Sequence, residues 1–127
     1  MKLPWLRLVL AISLDGRLAQ ADGSAASLGG FGDRRALEEA LAWADATLMG
    51  ANTLRIHRST CLINQPDLVK QRLLDGRDRQ PISIVVGRNI DYSLDWIFFK
   101  QPIDRWLLRS GESLSLKARR DCPLGFD

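Results

Sequence analysis

The chain has 127 residues, enough for one domain that buries about two-thirds of its unfolded surface. Apolar residues make up 46% and charged residues 26%, an ordinary globular balance that excludes a disordered or fibrous chain. The formal charge of +3 is mildly basic, and 14 of the 18 basic residues are Arg, scattered rather than clustered. Arg suits bidentate recognition of phosphate or carboxylate, so a phosphate-bearing small ligand accounts for this charge as well as nucleic acid does.

The N-terminus "MKLPWLRLVLAISLDGRLAQA" has the early Lys2, apolar stretch and Ala-x-Ala ending of a secretory leader. Arg7 interrupts the apolar core, however, and Asp15 and Arg17 follow it closely. A first strand explains more. Leu6–Ile12 is an apolar run with a single charge, as in a strand buried on both faces of a central sheet. Asp15-Gly16 then marks a turn. Leu28–Gly32 reads as loop, and Asp33 as the N-cap of a helix whose narrow stripe is Ala36, Leu37, Ala40, Leu41 and Ala44. Glu38 and Glu39 lie toward the positive end of that helix dipole.

Ala46–Met49 is a second strand, delivering "GANT" at its carboxyl end. The next helix runs from Pro66 to about Asp75, capped by Asn64 or Gln65 and stopped by Gly76 in a left-handed conformation. Ile82–Val86 is a third strand, ending at Gly87-Arg88-Asn89. Trp96–Phe99 and Arg105–Leu108 are two further short strands. From Gly111 no period is sustained, so residues 1–110 form the domain and 111–127 a poorly ordered tail. No run reaches the roughly 18 apolar residues of a membrane span. Strands alternating with helices predict an α/β domain with a largely parallel sheet.

Ligands of such sheets bind beyond the carboxyl ends of the strands. Three ends qualify: Ser13–Arg17, Gly50–Thr53 and Gly87–Asn89. Gly50-Ala51-Asn52-Thr53 either joins strand to helix, with Thr53 capping a segment that starts at Leu54, or lets backbone approach an anion. Arg88 is either a solvated loop residue or a partner for the 2′-phosphate of NADP. Asp15 and Arg17 either close their own turn or face a substrate.

Other constellations fail. "GGFGD" lacks the Lys-Ser/Thr of a phosphate loop, and "SGESL" lacks the second glycine of a nucleophile elbow. His57 has no partner at telling spacing and reads as a surface residue. Cys61 and Cys122, far apart and with one His in the chain, make no metal set and read as reduced thiols of a cytoplasmic protein. The four Trp residues are expected in the core, since no basic patch interleaves with them.

Taken together, "LVLAISLDGRLA", "ADATLMGANTLR" and "QPISIVVGRN" resemble the riboflavin-biosynthesis reductase domain, the RibD C-terminal domain, over roughly residues 6–90. The resemblance implies a dihydrofolate-reductase-like fold: a mostly parallel sheet flanked by helices, here missing its C-terminal half. It implies NADPH as cofactor and hydride transfer to the ribosylamino side chain of a pyrimidine substrate. By position, Gly50, Ala51, Asn52 and Thr53 would hold cofactor phosphates, and Gly87 and Arg88 would lie near the adenosine 2′-phosphate. Ser13, Asp15, Gly16 and Arg17 would lie by nicotinamide and substrate. No catalytic acid–base residue is implied, because the cofactor carries the chemistry.

Two segments depart from the family pattern: Ser27-Leu28-Gly29 stands where Trp-Ile-Thr is common, and His57-Arg58-Ser59 where Asp-Asn-Pro is common. Both bear on the grip of a phosphoribosyl group. A half-built sheet would leave an open edge, so a homodimer is expected. The rival reading is a truncated, non-catalytic homologue that dimerises or holds a nucleotide. No nucleic-acid or membrane partner is expected.

Overall fold

Among the described residues, three strands and three α-helices are laid out by where apolar side chains can be buried and where backbone groups can be paired. The structure, a computed structural model, describes residues 3–23, 30–88 and 91–109. The elements are α1 (Phe31–Trp43), β1 (Ala46–Gly50), α2 (Ala51–His57), α3 (Pro66–Leu74), β2 (Ile82–Val86), a 3-10 helix (Ile97–Lys100) and β3 (Arg105–Leu108). The sheet is parallel in the order β1-β2-β3. Gly50 is in register with Val86, and Val86 with Leu108, so all three carboxyl ends lie along one rim.

One face of the sheet is covered. Val85 packs with Ala51 and Leu54 of α2 and with Phe98 and Ile103. A second cluster, Leu41, Ile63 and Val69, joins α1 to α3. The chain passes between the two clusters at Thr60–Ile63 without forming a strand, and two glutamine amides supply the missing pairing. Gln101 accepts from the Thr60 amide at 3.0 Å and donates to its carbonyl at 2.8 Å. Gln80 does the same at Ile63, at 2.9 Å in each direction.

The helices α1 and α3 run in the same sense and cap each other. Near their starts Arg35 grips both Asp67 carboxylate oxygens, at 3.0 and 2.8 Å. Glu38 of α1 is buried, 2% exposed, and accepts from the amides of Asn64 and Gln65 at 2.7 and 2.8 Å, just ahead of α3. Arg72 of α3, also 2% exposed, donates to the carbonyls of Ala42 and Ala44 at the end of α1, at 3.1 and 2.6 Å, and to Asp78. Each helix therefore satisfies end groups that the other leaves open.

Four local expectations need correction. Leu6–Ile12 forms no strand: Leu6 and Leu8 are 86% and 80% exposed. Its composition suits a buried strand, but among the described residues the run is paired with neither edge strand, β1 or β3. Trp96–Phe99 is not a strand either. Phe99 donates its amide back to Trp96, and the tight turn sets the Phe98 and Phe99 rings edge to face at 5.1 Å, with Phe98 fully buried. Four consecutive apolar residues do not by themselves distinguish strand from helix. The helix α1 begins at Phe31 with Gly30 before it, so Asp33 lies in the first turn rather than capping it. Of the tryptophans only Trp96 packs against the core; Trp5, Trp43 and Trp106 are exposed, and Arg7 stacks over Trp43 at 4.3 Å.

Other expectations hold. β2 and the last strand have the predicted bounds, Gln65 precedes Pro66 at the start of α3, and Gly76 turns with φ 72°. Gln65 offers no side-chain cap, a role taken by Glu38. No helix among the described residues is long and apolar enough to cross a membrane. The tail 111–127, Ser27-Leu28-Gly29, Asn89 and Cys122 lie outside the described residues.

The pH dependence of this fold follows from Glu38. Burial raises the pKa of its carboxyl, but the amides of Gln65 and Asn64 and the Arg34 guanidinium at 3.2 Å outweigh it, and the group sits below its ordinary 4.5. A lowered folded-state pKa stabilises the fold above the unfolded value, and that stabilisation is lost as pH falls through the folded value. Glu38→Gln is expected to cost about 1.5–3 kcal/mol at neutral pH, the range for a buried charge-assisted bond. Urea titrations should show the gap between wild type and variant narrowing as pH falls below 4.5; a gap independent of pH would assign the loss to packing.

Candidate functional site

The rim formed by the carboxyl ends of β1 and β2 brings two of the three candidate segments together. Gly50 ends β1 in extended conformation, and α2 starts at once at Ala51. Gly87 follows β2, and a Cβ added there would lie 2.5 Å from the Ala51 Cβ and 3.1 Å from the Tyr92 hydroxyl. The two turns touch. A Cβ on Gly50 would meet open space, so the backbone of that turn can be approached from outside.

The helix begins one turn earlier than the sequence reading, in which Thr53 capped a segment from Leu54. Asn52 and Thr53 lie instead in the first turn of α2, both exposed, and no side chain caps this end. Ala51 and Leu54 face inward and tie the turn to the core. Arg88 is exposed and has no ion-pair partner among the described residues. Small side chains, accessible backbone and an unpaired guanidinium form a donor set that fits an anion such as a nucleotide phosphate.

The third segment closes on itself. Gly16 has φ 79°, and its amide donates to the Ser13 carbonyl at 2.8 Å. Arg17 donates its amide to Ser13 Oγ and its Nε to Asp15, each at 3.0 Å, and the Ser13 hydroxyl donates to the same carboxylate. The Ser13 hydroxyl, above all, holds the Asp15 carboxyl below the ordinary carboxylate range, with Arg17 contributing less. The hydrogen bonds of Ser13, Asp15 and Arg17 run within this turn, and none reaches Gly50–Thr53 or Gly87.

Three neighbours of the rim were not singled out from sequence. Arg55 pairs with Asp91 at 2.9 Å and lies 5.5 Å from the centre of the Tyr92 ring. Burial raises the Tyr92 hydroxyl above its ordinary pKa, against a smaller opposing effect of Arg55. With α2 begun at Ala51, Arg55 falls one turn later on the same face, a signal obscured by starting the helix at Leu54. His57 is exposed, as expected of a surface residue, and no cluster of metal-ligating groups occurs among the described residues.

Comparison with known proteins agrees with this architecture. The family model of the RibD C-terminal domain matches residues 4–120. No curated protein matches the chain. Among solved structures, a pyrimidine reductase-like protein from Corynebacterium diphtheriae NCTC superposes with a TM-score of 0.55 at 17% identity. That match covers 87% of this chain and 56% of the other, so the chain spans little more than half the length of its structural relative. At that identity the likeness speaks for the fold alone. With the family model matching nearly its whole length, the chain belongs to the RibD C-terminal domain family.

Proposed function

We propose that the chain is the nucleotide-holding part of an NADPH-dependent reductase of the riboflavin-pathway type, acting on a pyrimidine substrate. One observation carries this reading: Gly50–Ala51 and Gly87–Arg88 meet on a single rim, at the carboxyl ends of adjacent parallel strands. In this reading Gly50, Ala51, Asn52 and Thr53 hold the cofactor phosphates, and Gly87 and Arg88 receive the adenosine 2′-phosphate. Ser13, Asp15, Gly16 and Arg17 serve the substrate side. The cofactor supplies the hydride; the chain binds and orients, and needs no acid–base residue of its own.

A second reading has its own support. Leu48, Val86, Trp106 and Leu108 are exposed on the sheet face opposite the core, where parallel sheets are ordinarily covered. A non-catalytic homologue that associates with a second copy would cover it. Sedimentation equilibrium at micromolar concentration should then return twice 14.2 kDa, and a monomer would remove this reading.

Fluorescence titration of the purified chain with NADPH and NADH tests the first reading, which fails if neither binds at millimolar concentration. Arg88→Ala should weaken NADPH about tenfold and NADH less than about twofold, as loss of one charge-assisted phosphate contact predicts; equal losses would strip Arg88 of its role. Gly87→Ala should force the two turns apart, costing about 1–3 kcal/mol by overpacking and weakening both nucleotides. A Gly87→Ala chain of unchanged stability and affinity would show that the close approach to Ala51 is dispensable.

A further inference from the structure

Arg55 borders the rim through Tyr92. Its guanidinium lies over the Tyr92 ring, and the Tyr92 hydroxyl lies 3.1 Å from the position a Gly87 Cβ would take. Ala51, which touches that same position, precedes Arg55 by one turn of α2. Ala51, Gly87, Tyr92 and Arg55 are thus continuous.

The guanidinium is held from the side of Asp91 by a single contact, NH2 to Oδ1 at 2.9 Å, and the Asp91 side chain is 75% exposed. An exposed, one-contact pair is weak and exchanges readily. A phosphomonoester carries more charge than a carboxylate and offers three acceptor oxygens to the guanidinium fork, so it competes well for the same donor. Arg88, which follows Gly87 in the chain, has no ion-pair partner among the described residues to give up.

We propose that Arg55 is a specificity-determining residue of the nucleotide cradle: Asp91 holds its guanidinium as a placeholder anion, and the ribose phosphate of a bound nucleotide displaces Asp91. The inference rests on the nucleotide reading above and adds to it a residue and an exchange of partners. Asp91 then tunes affinity in the direction opposite to Arg55. Removing the carboxylate frees the guanidinium, whereas removing the guanidinium leaves the phosphate with one cation fewer.

The test is equilibrium titration of the full 127-residue chain and two variants with NADPH and NADH, which differ by that phosphate alone. Arg55→Gln should weaken NADPH about tenfold and NADH less than about twofold, while Asp91→Asn should tighten NADPH about threefold and leave NADH unchanged. Partial unfolding cannot produce the gain, so Asp91→Asn keeps the test sharp even where Arg55→Gln lowers the melting temperature. A wild-type chain that binds NADPH, with a ratio of NADPH to NADH affinity that Arg55→Gln does not alter, would overturn the role of Arg55 and leave the cradle standing. Weaker NADPH binding by Asp91→Asn would overturn the exchange. If the wild-type chain binds neither nucleotide, cradle and exchange fall together.

Discussion

The reciprocal capping of α1 and α3 is the constraint from which the rest of the architecture follows. A helix end must place its open amides or carbonyls somewhere, and here each helix contributes a side chain to one end of the other. The Glu38 carboxylate holds the amides that lead into α3, and the Arg72 guanidinium holds the carbonyls that close α1. The consequence reaches the sheet. Ala44, whose carbonyl Arg72 takes, stands two residues before β1, and the carbonyl of Asp45 receives the amide of Ile82 at the first rung of β2. Fixing the end of α1 therefore fixes where β1 starts, its register with β2, and the height at which Gly50 and Val86 end side by side.

From that register the rim is built by exclusion of bulk. Parallel strands that end level bring their following turns into contact, and contact between backbones requires small residues on both sides. Ala51 and Gly87 meet this requirement as a pair: any side chain at the second would collide with the methyl of the first. The constraint is one of space, since Gly87 does not adopt a left-handed conformation. A close approach of this kind leaves accessible backbone and short side chains on the outer surface, as the open space around Gly50 shows.

Legibility in the sequence followed from how local each determinant is. β2 was readable because Ile82-Ser83-Ile84-Val85-Val86 combines β-branched residues with Gly-Arg punctuation, and α3 because Pro66 and Gly76 bracket it. The Leu6–Ile12 run has equally strong strand composition and still forms none, because a strand needs a neighbour and sequence composition does not supply one. From the sequence Glu38 reads only as a residue toward the positive end of its helix dipole. It is buried, since its partners are amides 26 and 27 positions away, a separation no periodicity reveals. The same holds for Gln80 and Gln101, whose amides substitute for a strand beside Thr60–Ile63. In the candidate site, Gly50–Thr53 and Gly87 were visible as strand endings. Arg55, Asp91 and Tyr92 were not, because their significance comes from a contact between α2 and the segment after β2.

The excess of arginine acquires a structural explanation on the same grounds. Arg72 and Arg105 donate to backbone carbonyls, Arg105 to Phe98 at 3.0 Å, and Arg77 reaches Trp43 at 3.0 Å. Arg34, Arg35 and Arg55 hold carboxylates across or within elements. Lysine, a point charge with tetrahedral donors, could not serve two or three carbonyls from a single planar head as Arg72 does. These guanidinium groups are already turned toward acceptors of the fold. Nucleic acid would need a row of cations free to meet phosphates along a groove. A single nucleotide, the ligand proposed for this rim, needs only two or three; Arg55 reaches Gly87 through Tyr92, and Arg88 follows Gly87 in the chain.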